Sequence, residues 1–344
     1  MERFLVVLGD HPELGSPKGE PLVRFLRCYL GDGVQALTPA EILAGPRIEA
    51  DLVFVALPTS FGEAHLRLLK CRRFVLFDYY DEPEPEWGQS DQPLLRSLTD
   101  RYLKTHVLDG LEFGLRMGTL PVDYTPALRK EFERLSSSWL LRRMGSWVGR
   151  EDRPWDITLL GSVTHLVKAA ADGSRYRYHQ RVEWMREVAS RNDWRFWGGL
   201  FELPYFGKEK LEADCGSIDG LLWQGERLGF SDLFRKMSRT KISLAPLGHA
   251  RWTFRHLESV YAGCQVISTD LSGVRTLIPL PAQCFEMVLD HTPLAPVVER
   301  ILNDWPGDDS RREAAVAHFE QYLYRGRYDR RIKLPREVFL SQLD

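Results

Sequence analysis

The sequence predicts an α/β protein made of two doubly wound domains facing an interdomain cleft. Three observations predict it. Short, unbroken apolar runs rich in β-branched residues recur along the chain. Helical periodicity fills the stretches between them. The whole strand–helix pattern then restarts after the middle of the chain. Continuous apolar strands alternating with helices indicate a parallel sheet covered on both faces. A length of 344 residues suits two domains, at about 100–200 residues each.

Phe4 to Leu8 (FLVVL) is a buried strand by its length and composition. It breaks into GDHPELGSPKGEP, a loop rich in Gly and Pro. Pro21 to Leu30 reads as a helix with proline in its first turn. Asp51 to Leu57 (DLVFVAL) is the next strand, Ala64 to Leu69 a helix, and Phe74 to Phe77 (FVLF) a strand. Ligands of open parallel sheets bind at the carboxyl ends of the strands, so Asp10, His11 and Asp78 are expected on one rim. Residues 121–155 change character: PVDYTP is turn-rich, Ala127 to Leu141 helical, and GSWVGREDRP a polar connection. The restart begins with Trp155 to Leu160 (WDITLL), a strand ending at Gly161-Ser162. Tyr176 to Ser190 reads as a helix, Trp194 to Trp197 as a short strand, and Ser231 to Met237 as a helix capped by Ser231. Lys241 to Pro246 (KISLAP) is a strand, Trp252 to Ala262 a helix, and Gln265 to Thr269 (QVIST) a strand. Helices over Pro296–Leu302 and Arg311–Leu323 close the chain. The expected organisation is a domain over 1–145, a second over 150–310, and a basic C-terminal segment, 311–344, returning to the first.

The charge balance limits the function classes. There are 46 Lys and Arg against 48 Asp and Glu, a net charge of -2, unlike a protein that works by blanket neutralisation of nucleic-acid phosphates. Two runs stand out. Asp78 to Glu86 carries five acidic and no basic residues, and Arg311 to Arg336 carries eight basic against three acidic. Each is first of all a solvated face. The five cysteines, Cys28, Cys71, Cys215, Cys264 and Cys284, form no CxxC pair. They fit reduced thiols in a cytoplasmic protein. The N-terminal apolar run is shorter than a signal peptide requires, and no stretch has the length of a membrane span.

The most specific stretch is Gly225 to Ile278. It reads as strand, small-residue loop with Gly248, helix with Arg255-x-x-Glu258, then Gly263 and a strand. An arginine at a helix start can hold a diphosphate, with the helix N-terminus adding partial positive charge. A glutamate three residues on shares its face. This stretch resembles the donor domain of GT-B glycosyltransferases, enzymes with two facing Rossmann-like domains, and looks most like the group-1, spore-maturation-like and exostosin-like branches. Their P-x-G … R-x-x-E-x-x-x-x-G-x-x-V-I segment is matched here by Pro246, Gly248, Arg255, Glu258, Gly263, Val266 and Ile267. The resemblance implies a nucleoside-diphosphate sugar, UDP- or GDP-linked, as co-substrate and a hexosyltransferase-like activity with no other cofactor. It implies that Gly161, Ser162, Arg181, Gly248, Arg251 and Arg255 hold the diphosphate, that Glu258 holds the ribose, and that the base packs near Gly225 and Arg227.

The acceptor hydroxyl needs a base within hydrogen-bond reach, for which Asp78, Asp81 and His11 are the candidates. A fainter similarity to bacteriophage DNA glucosyltransferases favours Asp78. The chain departs from the retaining pattern at Ala250, where many members carry a second glutamate, so inverting and retaining outcomes both stay open. It has no convincing Asp-x-Asp, and metal-independent transfer is expected, with arginines facing the leaving diphosphate. The acceptor class is open among glycan, protein, small molecule and modified DNA. Two alternatives stand beside this reading: a DNA glucosyltransferase acting on hydroxymethylated bases, and a catalytically silent relative that only binds the donor. A dinucleotide-dependent oxidoreductase ranks below them, because Gly9, Gly15 and Gly19 miss the G-x-G-x-x-G spacing.

Overall fold

The computed structural model describes residues 3–9, 22–23, 26–27, 30–78, 92–110, 114–120, 153–169, 175–202, 208–226, 228–248, 250–305, 310–318, 321 and 336–343. Asp10, His11, Asp81, Arg227, the helix expected over 127–141 and the basic residues Arg325 to Arg331 lie outside them. The chain divides into two compact units. One is Met1–Lys130 with Gly273–Leu280 and Tyr322–Asp344; the other is Glu131–Ser272 with Pro281–Gln321.

In the first unit, β1 (Phe4–Val7) is followed by the helical residues Leu22, Val23, Leu26, Arg27 and Leu30. Next come β2 (Val34–Leu37), α1 (Pro39–Ala44), β3 (Ile48–Leu57), α2 (Glu63–Leu66), β4 (Leu69–Asp78), α3 (Gln92–Leu98), β5 (Arg101–Lys104), β6 (Val107–Leu108) and β7 (Arg116–Thr119). The sheet order is β2-β1-β3-β4-β5-β7, and every neighbouring pair in it is parallel. Its core is made by Leu5, Val7, Val53, Val55, Leu57, Leu76 and Tyr102. The apolar runs that announced β1, β3 and β4 are these buried residues. Helix α1 starts with a reciprocal cap: Glu41 N–H donates to Thr38 Oγ1, and the Glu41 carboxylate accepts from Thr38 N–H.

The second unit contains β8 (Trp155–Ser162), β9 (Leu166–Ala169), β10 (Arg175–Tyr178), α4 (Gln180–Ala189), β11 (Phe196–Phe201), α5 (Lys208–Cys215), α6 (Phe230–Met237), β12 (Thr240–Ala245), α7 (Phe254–Tyr261) and β13 (Gln265–Thr269). A short β14 (Val274–Arg275) belongs to the first unit, where it pairs antiparallel with β6. Then β15 (Phe285–Val288), α8 (Ala295–Asn303) and α9 (Ser310–His318) complete the second unit, and α10 (Arg336–Leu340) returns to the first. The order is β11-β8-β12-β13-β15, all parallel. A parallel bridge from Leu222 to Leu200 adds a sixth position beyond β11. Numbered along the chain, the order is 3-2-1-4-5-6, that of the Rossmann sheet, with its switch point between β8 and β12.

Of the boundaries that differ from the sequence reading, three bear on the second unit's architecture. Tyr176 to Tyr178 is not helical: these residues form β10, which pairs antiparallel with β9, and the helix starts at Gln180. The cap of α6 is Gly229, one residue before Phe230, so Ser231 lies inside the helix. β11 runs on through Gly198 and Gly199 to Phe201. Gly198 has φ 143°, and a Cβ there would overlap Leu159 O. Close approach of neighbouring backbone demands glycine, and that glycine hides the strand from propensity. Among the described residues, no helix is long and apolar enough to cross a membrane.

Candidate functional site

The switch point of the second unit is built by three segments. β8 ends at Gly161-Ser162, β12 leads into Pro246-Leu247-Gly248, and α4 begins beside them with Gln180-Arg181. Arg181 Nη1 donates to Ser162 O at 2.8 Å. Gly161 and Gly248 flank the guanidinium. A Cβ on Gly161 would sit 3.5 Å from Arg181 Nη1, and one on Gly248 would overlap Nη2 and lie 3.0 Å from Cζ. Gly248 has no positive φ, so it is glycine for space rather than for backbone conformation. The two glycines let a planar cation lie against the crest of the sheet. An oxyanion placed there would meet both that cation and a helix N-terminus.

The surroundings are polar and largely buried. Leu247 N–H donates to Gln180 Oε1 at 2.6 Å, tying the start of α4 to the loop after β12. Thr164 Oγ1 lies 3.2 Å from the Cβ position of Gly248. Thr164 and Gln180 are buried, and Thr164 Oγ1 and Gln180 Nε2 have no hydrogen-bond partner among the described residues. His179, the residue before α4, is also buried and its pKa is lowered, chiefly by burial, against the pull of Asp214. Fixed positive charge at this place therefore comes from Arg181.

The helix carrying the R-x-x-E pattern, α7, is arranged differently from the expectation. Arg255 Nε lies 3.4 Å from Glu258 Oε2, as spacing required. Yet Glu258 is only 3% exposed, burial pushes its pKa up, and the Arg255 charge only partly opposes that. Arg255 Nη1 reaches Met237 Sδ on α6 at 3.8 Å. An i,i+3 spacing fixes a shared face, on which Arg255 is half-buried and Glu258 buried. Arg251 Nη1 donates to Asp270 O at 3.0 Å.

His256, within the same motif, does structural work that the motif did not reveal. It is fully buried against Trp252, and burial brings its pKa down to about 4. Nδ1 lies 3.2 Å from Thr253 N, and Nε2 lies 2.9 Å from Ser268 Oγ. Nδ1 also lies 2.9 Å from Thr253 O, and Ser268 Oγ donates to Thr269 O. The neutral imidazole thus ties the start of α7 to the end of β13.

Gly225 is exposed and lies against the Trp223 side chain. A Cβ there would sit 2.5 Å from the Trp223 ring, and Trp223 Nε1 donates to Glu226 O. The glycine leaves room for the indole.

In the first unit, Asp78 does stand at the carboxyl end of β4. It is fully buried, accepts from Tyr102 Oη at 2.8 Å and is ion-paired with Lys104, itself fully buried. Asp78, expected as the base, is thus a carboxylate sealed against an ammonium, an arrangement that disfavours taking a proton from an acceptor. Asp81 and His11 lie outside the described residues. An open cavity of about 440 Å³ lies between Val107, Thr119, Val274, Leu277 and Gln342 in this unit. Its polar groups are engaged: Gln342 Oε1 accepts from Thr119 N–H, and Arg275 pairs with Asp109. Among the described residues, no group of His, Cys, Asp and Glu has the arrangement of a metal site.

No family model and no curated protein matches the sequence. Solved structures similar to the chain include Anabaena HepE in complex with UDP, at 10% identity and a TM-score of 0.49, covering 100% of this chain and 99% of that one. Another is WaaG, a glycosyltransferase involved in lipopolysaccharide biosynthesis, at 12% identity and a TM-score of 0.42, covering 97% and 98%. A third is sucrose-phosphate synthase from Thermosynechococcus elongatus, at 11% identity and a TM-score of 0.40, covering 79% and 69%.

Proposed function

We propose that the chain transfers a sugar from a UDP- or GDP-linked donor to an acceptor hydroxyl, without a metal ion. The observation that carries this reading is the Arg181 guanidinium lying between Gly161 and Gly248 at the switch point of the second sheet. In this reading the acceptor oxygen attacks the anomeric carbon and its proton passes to Asp81 or His11. The bond from the anomeric carbon to the phosphoryl oxygen breaks, and the diphosphate leaves with the electron pair. Arg181 and the N-terminus of α4 stabilise the charge that develops on it.

A thermal-shift panel of nucleotide sugars with their free nucleoside diphosphates tests the reading. One donor and its diphosphate are expected to raise Tm in wild type and to lose that effect in Arg181→Met. Transfer is expected to persist in EDTA. A panel without any stabilisation rejects the proposal.

The burial of Asp78 favours a second reading, a catalytically silent module that binds the donor. That version predicts stabilisation without donor hydrolysis. Hydrolysis by wild type that disappears in Asp81→Ala or His11→Ala excludes it.

A further inference from the structure

Two buried polar groups near Arg181 have no hydrogen-bond partner among the described residues. Leu247 N–H requires an acceptor, which fixes the Gln180 amide with Oε1 toward Leu247 and leaves Nε2 a donor with no partner among the described residues. Thr164, 5% exposed, likewise has no partner for Oγ1 among them. A buried donor left unsatisfied costs about 1–3 kcal/mol. Both belong to the surroundings of Gly248. Thr164 Oγ1 and Arg181 Nη2 approach the same point above its Cα, while Gln180 holds the preceding residue, Leu247. No side chain caps the N-terminus of α4, a helix of 10 residues. A hydroxyl, an amide N–H₂, a guanidinium and a helix N-terminus together call for a ligand that only accepts hydrogen bonds and is negatively charged.

We propose that Thr164 and Gln180 are binding residues: Thr164 Oγ1 and Gln180 Nε2 donate, together with the Arg181 guanidinium, to phosphoryl oxygens of a diphosphate seated over Gly248. The assignment rests on the nucleotide-sugar reading above and names the groups that hold its phosphates. A guanidinium carries five N–H donors, so its bond to Ser162 O is compatible with this task. The neutral donors give the site direction where the arginine gives it charge.

The test is calorimetric titration of the full chain with inorganic pyrophosphate, UDP, UDP-glucose and uridine. It is run on wild type, Thr164→Val and Gln180→Glu, with Tm recorded for each unliganded protein. Thr164→Val keeps the shape and deletes the hydroxyl. It is expected to leave Tm equal or higher and to bind pyrophosphate and UDP about tenfold more weakly, as for one hydrogen bond to a charged group. Gln180→Glu keeps the acceptor for Leu247 N–H and replaces the donor by a negative charge, and a loss of more than a hundredfold is expected. Should Gln180→Glu fail to fold, Thr164→Val decides alone. Unchanged pyrophosphate and UDP affinities in Thr164→Val overturn the inference while leaving the donor reading in place. Pyrophosphate bound in a Thr164-dependent way, with no UDP or UDP-glucose bound, upholds the inference and counts against the donor reading. Wild type that binds none of the phosphate compounds overturns the inference as well.

Discussion

Two charged side chains stand at the carboxyl ends of parallel strands or just beyond them, and the protein treats them in opposite ways. Asp78 at the end of β4 is fully buried, and so is Lys104, its ion partner from β5. Arg181 beside the end of β8 is half-buried, donates to a carbonyl oxygen, and is given room by two glycines. The first arrangement satisfies its charges within the fold. The second holds a half-buried guanidinium in space that two glycines leave open. A charged residue at a strand end is thus no sign of chemistry by itself; what is absent around it decides.

The largest expected effect is on the sealed pair. Lys104→Met strands a carboxylate in the core and should destabilise the protein by about 3–5 kcal/mol, read from urea or thermal unfolding. A loss below about 1 kcal/mol would mean that Asp78 meets solvent and would return it to candidacy as the base.

A smaller effect concerns pH. The folded pKa of His256, about 4, lies below the ordinary 6.5, so the unfolded chain binds the additional proton between those values. Its contribution is fully present above about pH 6.5 and is lost as the pH falls to about 4. Glu258, with its pKa raised, acts with the opposite sign and gains ground in acid. The comparison is therefore between wild type and His256→Asn. The stability difference between them should shrink on acidification, and a difference constant over that range would show that His256 is not held neutral.

The smallest effect falls on the open site. Gly248→Ala puts a Cβ into the Arg181 guanidinium. Overpacking of this kind costs about 1–3 kcal/mol, here spent on moving a half-buried side chain. Nucleotide affinity is expected to drop about tenfold or more with little change in Tm. Equal affinity would show that Arg181 does not define the pocket.

The parallel sheets were legible because FLVVL, DLVFVAL, FVLF, WDITLL and QVIST can only be buried runs. β5 and β7 were not. RYLK and RMGT mix charge with apolar residues: the charge of Lys104 is buried against Asp78, a pairing that strand propensity does not foresee, and β7 begins exposed at Arg116. β10 was read as helix because YRYHQRVEWMREV continues a helical pattern backwards across the true start at Gln180. At the site, Gly161, Arg181 and Gly248 could be picked out by their order along the chain. Thr164 and Gln180 could not, since only the fold brings a threonine after β8 and a glutamine at the start of α4 to one loop. Arg255 and Glu258 show the reverse: the motif is visible in one dimension, and the burial of its carboxylate is not.

The fit of Gly248 against Arg181 makes these two positions interdependent over evolutionary time. A methyl group at 248 is admissible only if the side chain at 181 moves aside or is shortened, and a shorter residue at 181 removes the reason for a bare backbone at 248. Descendants of this chain that keep the function should inherit the two letters together, and a lineage that has lost one should soon lose the other.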